Sequence, residues 1–145
     1  IDQIKQLREE TGISIAECKK ALEEAKGDLE KAKNILKKRG KDFATKKGER
    51  EAGEGIIASY IHQNKKIGAL LDLRCETDFV ARSQEFQNLA HELCLQIAAM
   101  DPQETSLLEQ SWIKDQTKTI KELVEEHIVK TGENIIIKKF ERYQI

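Results

Sequence analysis

The chain has 145 residues, of which 39% are hydrophobic and 35% are charged, and its formal net charge is −1. The hydrophobic content can bury a core, and the small net charge argues against intrinsic disorder and against long-range attraction to nucleic acid or anionic lipid. The longest apolar runs are only a few residues, whereas a membrane span needs roughly 20. We therefore expect neither nucleic acid nor a membrane among the partners.

The three cysteines, Cys18, Cys75 and Cys94, are widely and irregularly spaced. Because there is no C-x-x-C pair, the sequence indicates neither a zinc site nor a thiol–disulfide motif. Reduced thiols in a cytoplasmic compartment are the simplest interpretation. The pattern leaves open whether that compartment is a bacterial cytoplasm or the matrix or stroma of an organelle. We expect no metal and no cofactor.

Residues 1–40 predict a module of three short helices, with apolar residues at spacings of three and four. Ser14 and Glu17 form an S-x-x-E capping box that opens the second helix at Ile15, and Asp28 is placed to cap the third. Glycine closes helices because it adopts positive φ. The glycines expected to do so are Gly12, Gly27 and Gly40. Since so small a bundle is marginal alone, we interpret it as a tethered docking module.

Residues 41–54 are predicted to be that tether, a basic linker. Seven basic residues stand against two acidic ones in residues 37–50. A solvated linker is the commoner interpretation of such a run, and a patch complementary to an acidic partner surface is the alternative. Nucleic acid binding is disfavoured because Phe43 is the only aromatic residue in the run.

Residues 55–145 are predicted to form an α+β core domain, which would carry dimerisation and exchange. Alternating apolar residues in 56–61 and 67–73 indicate the two strands of a hairpin around a polar turn. A long helix with one apolar stripe follows from Gln84 until Pro102 stops it.

A connector and a short Trp112–Ile113 run precede the last helix. Thr119 and Glu122 form a second capping box at its start, and Gly132 ends it. Residues 134–145 are rich in β-branched and aromatic side chains and indicate a terminal strand. The fold class is therefore predicted as α+β, a helical module followed by a small antiparallel sheet backed by helices.

Four segments together resemble the elongation factor Ts family, and they span nearly the whole chain. The most diagnostic is the octapeptide CETDFVAR at residues 75–82, directly after the hairpin. The others are the N-terminal strings, the hairpin and the string TGENI, at residues 7–12, 18–25, 27–28, 54–68 and 131–135. A lone T-D-F would be weak evidence, but the octapeptide in this place, with the N-terminal module upstream, is highly specific.

The resemblance implies a UBA-like fold for residues 1–40 and a guanine nucleotide exchange factor in protein biosynthesis, which does no covalent chemistry and is not an enzyme. The implied partner is elongation factor Tu, in its GDP-bound and nucleotide-free states. Phe79 would be the wedge that disturbs the partner's Mg²⁺ and phosphate site. The implied contacts of this turn are Thr77, Asp78, Phe79, Val80 and Arg82. Those of the N-terminal module are Thr11, Gly12, Ile13 and Ile15, with His62 as a secondary candidate.

Spacing alone gives different interpretations of several of these residues. It favours packing of Phe79 in the core against Phe86 and Leu89, a preference that the family match reverses. Ile15 either completes the small bundle's core or docks the partner, and the two are evenly balanced. The simpler interpretation of Val80 is a position in the core, and that of Arg82 is a solvated surface charge.

The chain also departs from the family pattern. Ser83 stands where Asn or Asp is usual, and serine caps a helix almost as well. Ile15 and Ala16 stand where many members have two methionines, so an apolar contact there would be smaller and stiffer. The segment between Met100 and Trp112 is too short for the protruding helical hairpin of long members. Short members can dimerise, so a homodimer through the core sheet is a further expectation.

Two competing functions are weaker. An enzyme would pair Cys75 as nucleophile with His62 as base, but the neighbouring carboxylates Glu76 and Asp78 oppose thiolate formation. A ubiquitin-binding module in residues 1–40 would lack the aromatic residue usual in its loop. Neither function accounts for the octapeptide.

Overall fold

The computed structural model describes residues 2–145, and the chain divides into two compact units, one ending at Lys47 and the other running from Gly48 to Ile145. The first unit contains three helices, α1 (Asp2–Thr11), α2 (Ile15–Glu24) and α3 (Leu29–Lys47). Their buried side chains form one cluster: Leu7, Cys18, Ala21, Leu22, Ala25, Ala32 and Leu36. The predicted helical module is therefore present.

The predicted N-caps of this unit form, although of the Ser14–Glu17 capping box the structure shows only the bond to the Ser14 hydroxyl. The Ser14 hydroxyl accepts a hydrogen bond from the amide of Glu17, and the Asp28 carboxylate accepts one from the amide of Lys31. Gly12 has a φ of 71°, the left-handed conformation that ends α1, and two left-handed residues, Lys26 and Gly27 with φ of 54° and 83°, follow the end of α2.

The predicted end of the third helix at Gly40 is wrong, because α3 continues to Lys47. A glycine inside a helix costs about 1 kcal/mol relative to alanine, which lowers stability without forcing a stop. Good helix formers surround Gly40, and Ala44 is buried. Residues 41–47, predicted as part of the linker, are thus the last turns of α3.

The second unit is built on a three-stranded antiparallel sheet in the order β1–β2–β5. The hairpin strands are β1 (Glu54–Ile61) and β2 (Ile67–Cys75), paired so that Glu54 faces Cys75 and Ile61 faces Gly68. The terminal strand β5 (Ile136–Gln144) pairs with the other side of β2, with an irregularity after Asp72. The predicted antiparallel sheet and the α+β class are confirmed.

Helices cover one face of this sheet. A short helix, α4 (Asp78–Ala81), follows β2, and α5 (Gln84–Ala99) packs against β1 and β2. The last helix, α6 (Ile120–Thr131), contacts α5. Inward-facing side chains of β2 and the apolar stripe of α5 supply the largest part of this core, including Ala69, Leu71, Leu73, Phe86, Leu89, Leu93 and Ile97.

The connector between α5 and α6 contains more structure than the sequence indicated. It holds a 3-10 turn (Leu107–Glu109) and a small hairpin of β3 (Ser111–Trp112) and β4 (Asp115–Thr119). The sequence DQTKT of β4 has no apolar alternation, so no strand was expected there.

Two buried glutamines hold this connector. The Gln96 amide donates to the Gln110 side chain and to the carbonyl of Ser111, and its oxygen accepts from the amide of Ile113. Gln110 in turn donates to the carbonyl of Met100, which fixes both ends of the segment. Among residues 2–145, no helix is both long and apolar enough to cross a membrane.

Candidate partner-binding site

The octapeptide forms a tight turn between β2 and α5, called here the 75–82 turn. Thr77 is the N-cap of α4, and its hydroxyl accepts a hydrogen bond of 3.2 Å from the amide of Val80. Ser83 is the N-cap of α5 and accepts from the amide of Phe86 at 3.3 Å. Serine therefore performs the capping expected of Asn or Asp at this position.

Phe79 projects from this turn into solvent, with 82% of its surface exposed. Packing of Phe79 against Phe86 and Leu89 is therefore wrong, since those two side chains are fully enclosed in a core that does not include it. The spacing argument failed because the single turn of α4 places Val80 and Ala81, and not Phe79, against the core. A large exposed aromatic residue on a rigid turn is the kind of feature that marks an interaction site.

Val80 and Ala81 point the opposite way from Phe79. Their exposed fractions are 7% and 1%, so they anchor α4 to the core. Val80 is one of the implied partner contacts, and its burial shows that it also supports Phe79 from beneath. The turn therefore buries two apolar side chains, Val80 and Ala81, in the core and exposes a third, Phe79, to solvent.

Asp78 and Arg82 flank the aromatic ring and pair with each other. The Arg82 Nε lies 3.0 Å from Asp78 Oδ2, one helical turn away, and both side chains are largely exposed. Such a pair adds little to stability in water because solvent screens it. Both groups therefore remain available to polar groups of a partner.

The 75–82 turn is also bound to a second turn, residues 131–134, which joins α6 to β5. One oxygen of the Glu133 carboxylate accepts from the amides of Glu76 and Thr77, at 3.1 and 2.9 Å. The other oxygen accepts from the Thr77 hydroxyl at 2.7 Å. A single side chain thus binds three donors at the base of α4.

Glu76 makes the reverse connection. Its carboxylate accepts from the backbone amide of Asn134 at 2.5 Å and lies 2.8 Å from the Arg50 guanidinium. The Asn134 side chain, which is buried, donates to the carbonyl of Arg50 at 2.7 Å. The strings CETDFVAR and TGENI were recognised separately in the sequence, and nothing in their spacing showed that their glutamates bind each other's backbone.

Cys75 lies under the turn and is fully buried. Its thiol donates to the carbonyl of Thr77, and burial, with a smaller contribution from the Glu133 carboxylate, raises the pKa of Cys75 to about 11. The thiol is therefore protonated at neutral pH and is a poor nucleophile.

His62 does not lie near the turn. It follows the end of β1 that pairs with Gly68, whereas Cys75 pairs with Glu54 at the opposite end. At about 3.3 Å per residue the two ends are separated by roughly 25 Å. His62 is exposed and its Nδ1 lies 2.9 Å from the Tyr60 hydroxyl. The structure therefore brings His62 together with neither Cys75 nor Phe79.

The predicted residues of the N-terminal unit lie where α1 meets α2: Thr11 ends α1, Gly12 and Ile13 are in the loop, and Ile15 begins α2. The Thr11 hydroxyl donates to the carbonyl of Leu7 and accepts from the amide of Ile13, which is half-buried against the helical core. Ile15 is 53% exposed, so it does not complete that core. Gly12 is exposed and holds the positive φ of the loop.

Comparison with known proteins connects these sites to a family. The family described as Elongation factor TS matches residues 76–145, which include both the 75–82 turn from Glu76 onward and the 131–134 turn. Proteins named Elongation factor Ts from Thermotoga sp. (strain RQ2) and Thermosipho melanesiensis are 42% and 39% identical, over 100% and 98% of this chain and 95% and 96% of their own lengths. A protein of the same name from Thermoanaerobacter sp. (strain X514) is 38% identical over 97% of this chain and 92% of its own length.

These relatives are longer than the chain. The alignment with the Thermotoga protein extends over 189 positions, against 145 residues here, so the relative contains residues that this chain lacks. The similarity nevertheless covers the chain from end to end. The chain belongs to the elongation factor Ts family of translation elongation factors.

Proposed function

We propose that this protein is the guanine nucleotide exchange factor for elongation factor Tu, and that it binds both the GDP-bound and the nucleotide-free partner. The observation that carries the proposal is Phe79, an aromatic side chain 82% exposed on a turn whose backbone is held from two sides. In the free protein this ring gains nothing from burial, so its apolar surface is available to a partner.

The thermodynamics of exchange define what the ring must do. A factor that releases GDP binds the nucleotide-free partner more tightly than the GDP-bound one, and by linkage GDP weakens its binding to the same extent. The ring must therefore occupy space that is open only when the partner's Mg²⁺ and phosphate site is disturbed. A buried aromatic anchor contributes on the order of 2–4 kcal/mol when measured by truncation to alanine, which is sufficient to change release rates by tenfold or more.

The mechanism requires no covalent step, and we propose that the protein is not an enzyme. Cys75 has a raised pKa and lies at the opposite end of the hairpin from His62. Since translation elongation takes place in the cytoplasm and the relatives named above come from bacteria, we propose a bacterial cytoplasm as the location.

The N-terminal unit supplies the second contact in this proposal. Ile15 presents half of its side chain to solvent at the start of α2, beside the exposed Gly12 and Ala16. A small apolar surface of this kind fits a docking role rather than a distorting one. We expect Ile15→Ser to weaken binding to elongation factor Tu while leaving the maximal rate of GDP release unchanged.

The decisive experiment is release of a fluorescent GDP analogue from elongation factor Tu. Wild-type protein should accelerate release strongly, and Phe79→Ala should reduce the maximal rate at least about tenfold, equivalent to about 1.4 kcal/mol. Phe43→Ala is the matched control, because Phe43 is a partly exposed aromatic residue of α3 that contacts Lys47. Full activity of the Phe79 variant would remove the ring from the mechanism.

We also propose a homodimer through the sheet. The face opposite α5 exposes five large apolar side chains, Ile57, Ile61, Leu70, Ile136 and Tyr143. It also carries charges of both signs, with Asp72 facing Lys139 across β2 and β5 and Leu70 facing Glu141. A copy related by a twofold axis can therefore match both the apolar area and the charges.

Sedimentation velocity tests the dimer. The wild type should sediment as a dimer at micromolar concentration, and Leu70→Glu should sediment as a monomer. Leu108→Glu, which alters an exposed leucine outside this sheet, should behave as the wild type. The dimer would be refuted if the wild type remained monomeric at a concentration 100-fold above that needed in the GDP-release assay.

A further inference from the structure

We infer that Glu133 is a positioning residue for the exchange activity, since it fixes the direction in which Phe79 points. The inference rests on the proposed function and extends it to a side chain that lies more than fifty residues away in the sequence from the turn that it holds. Glu133 itself does not reach the tip of the turn, because all three of its donors belong to Glu76 and Thr77 at the base.

Glu133 orients the hydroxyl group of Thr77. The Thr77 hydroxyl has a single hydrogen, and it donates that hydrogen to Glu133 at 2.7 Å. Its lone pairs are then directed toward the amide of Val80, which donates to it at 3.2 Å. Because the carboxylate determines which way the hydroxyl points, it also determines how well Thr77 caps α4.

The helix that carries Phe79, α4, is too short to be stable without its cap and its buried side chains. The helix has four residues, Asp78–Ala81, and Phe79 is the second of them. A helix of one turn has almost no stability of its own, so its orientation depends on the cap and on burial of Val80 and Ala81. Without the cap, α4 is held by this burial and by the hydrogen bonds of Cys75 and Ser83 to the carbonyls of Thr77 and Val80, none of which binds the first-turn amides beside Phe79.

Glu133 is itself held in place by its neighbours in the 131–134 turn. Gly132 ends α6 in the left-handed conformation, with φ of 75°, and the amide of Glu133 donates to the hydroxyl of Thr131 at 3.2 Å. Glu76 then binds the amide of Asn134, so the two turns are connected in both directions. The carboxylate therefore reaches the 75–82 turn from a rigid base.

The expected effect of losing this connection is a lower population of the binding-competent turn. When only a fraction of molecules holds the competent conformation, the apparent dissociation constant rises by the inverse of that fraction. The maximal rate at saturation is unaffected, because every bound complex contains a correctly placed ring. This separates a positioning role for Glu133 from the wedge role of Phe79, whose removal lowers the maximal rate.

The test uses GDP release from elongation factor Tu, titrated with the full chain. Glu133→Ala should raise the half-saturating concentration about tenfold and leave the maximal rate within about twofold. Glu133→Gln should have a smaller effect, since its amide oxygen can still accept from both backbone amides. Glu126→Ala is the matched control, because Glu126 is a glutamate of α6 that pairs with Lys118 instead.

A double variant distinguishes positioning from general destabilisation. In a Phe79→Ala background, Glu133→Ala should change the half-saturating concentration less than about twofold, since the ring that it positions is absent. An effect as large as in the wild-type background would overturn the inference. So would a Glu133→Ala protein whose half-saturating concentration equals that of the wild type.

Amide hydrogen exchange on the free protein tests the inference without the partner. The amides of Val80, Ala81 and Arg82 do not bind Glu133, yet they should exchange at least about tenfold faster in Glu133→Ala than in the wild type, and faster by a smaller factor in Glu133→Gln, with β2 unchanged. If Glu133→Ala does not fold, Glu133→Gln provides the measurement. Unchanged protection of these amides would overturn the inference even if the proposed function holds. A wild type without effect on GDP release would refute the proposed function, and the exchange protection of these amides would then show only whether Glu133 holds the turn.

Discussion

Gly55 in β1 is the position where the addition of one methyl group should be most damaging. Its φ is +151°, and a Cβ built there would lie 2.1 Å from the carbonyl oxygen of Leu73 and 2.8 Å from the Cα of Arg74. Both atoms are backbone atoms of β2, the central strand, which is paired to β5 on its other side. The central strand cannot move away from the methyl group without weakening that pairing.

The magnitude follows from two costs. A non-glycine residue in a sparsely populated backbone region costs about 1–3 kcal/mol, and a methyl group forced against packed atoms costs roughly another 1–3 kcal/mol. We therefore expect Gly55→Ala to lower the free energy of unfolding of the second unit by about 4 kcal/mol. At about 4–8 °C per kcal/mol for a unit of this size, its unfolding midpoint should fall by roughly 15–30 °C.

Thermal unfolding followed by circular dichroism measures this change. Gly53→Ala is the matched control, because a Cβ at Gly53 would meet no atom within 4 Å and its φ is not positive. It should leave the unfolding midpoint within about 3 °C of the wild type. Equal midpoints for the two variants would show that β1 can shift away from β2, and the reasoning from close approach would fail.

Three further outcomes are expected. Gln96→Leu should destabilise the second unit by about 2–4 kcal/mol in urea unfolding, because the amide of Ile113 and the carbonyl of Ser111 lose their buried partner. Cys75 should resist iodoacetamide at pH 7 in the folded protein and react once urea is added, since its pKa is about 11; rapid labelling of the native protein would contradict its burial. His127 has a pKa lowered by burial, so the unfolded chain binds more protons than the folded one below about pH 6.5 and stability is lost as the pH falls; a His127→Gln variant should show a shallower loss between pH 7.5 and 5.

Local patterns in the sequence were sufficient to predict most of the fold. The alternation in β1 and β2 indicated the hairpin, and the Thr119–Glu122 capping box forms in full, with each residue's side chain bound to the other's amide. Gly132 ends α6 as expected. These signals succeed because they involve residues within four positions of each other.

The predictions failed where the structure is determined by contacts between residues distant in the sequence or by small differences in free energy. Gly40 was expected to end α3, but the cost of one glycine is smaller than the gain from the turns that follow. Phe79 was assigned to the core by spacing, and only the family resemblance indicated its exposure. Glu133 was not identified as part of the site, because its contacts with Glu76 and Thr77 span more than fifty positions and leave no local pattern.

The position of β2 in the sheet has a mechanical consequence for the ring that follows it. β2 is hydrogen-bonded along both edges, to β1 and to β5, and its last residue, Cys75, is the first residue of the turn that carries Phe79. A force that a partner exerts on the ring is transmitted through the buried Val80 and Cys75 to β2, the strand that is paired on both sides. The ring can displace groups of the partner only if its own support moves less than they do, and here the support is a strand hydrogen-bonded along both edges.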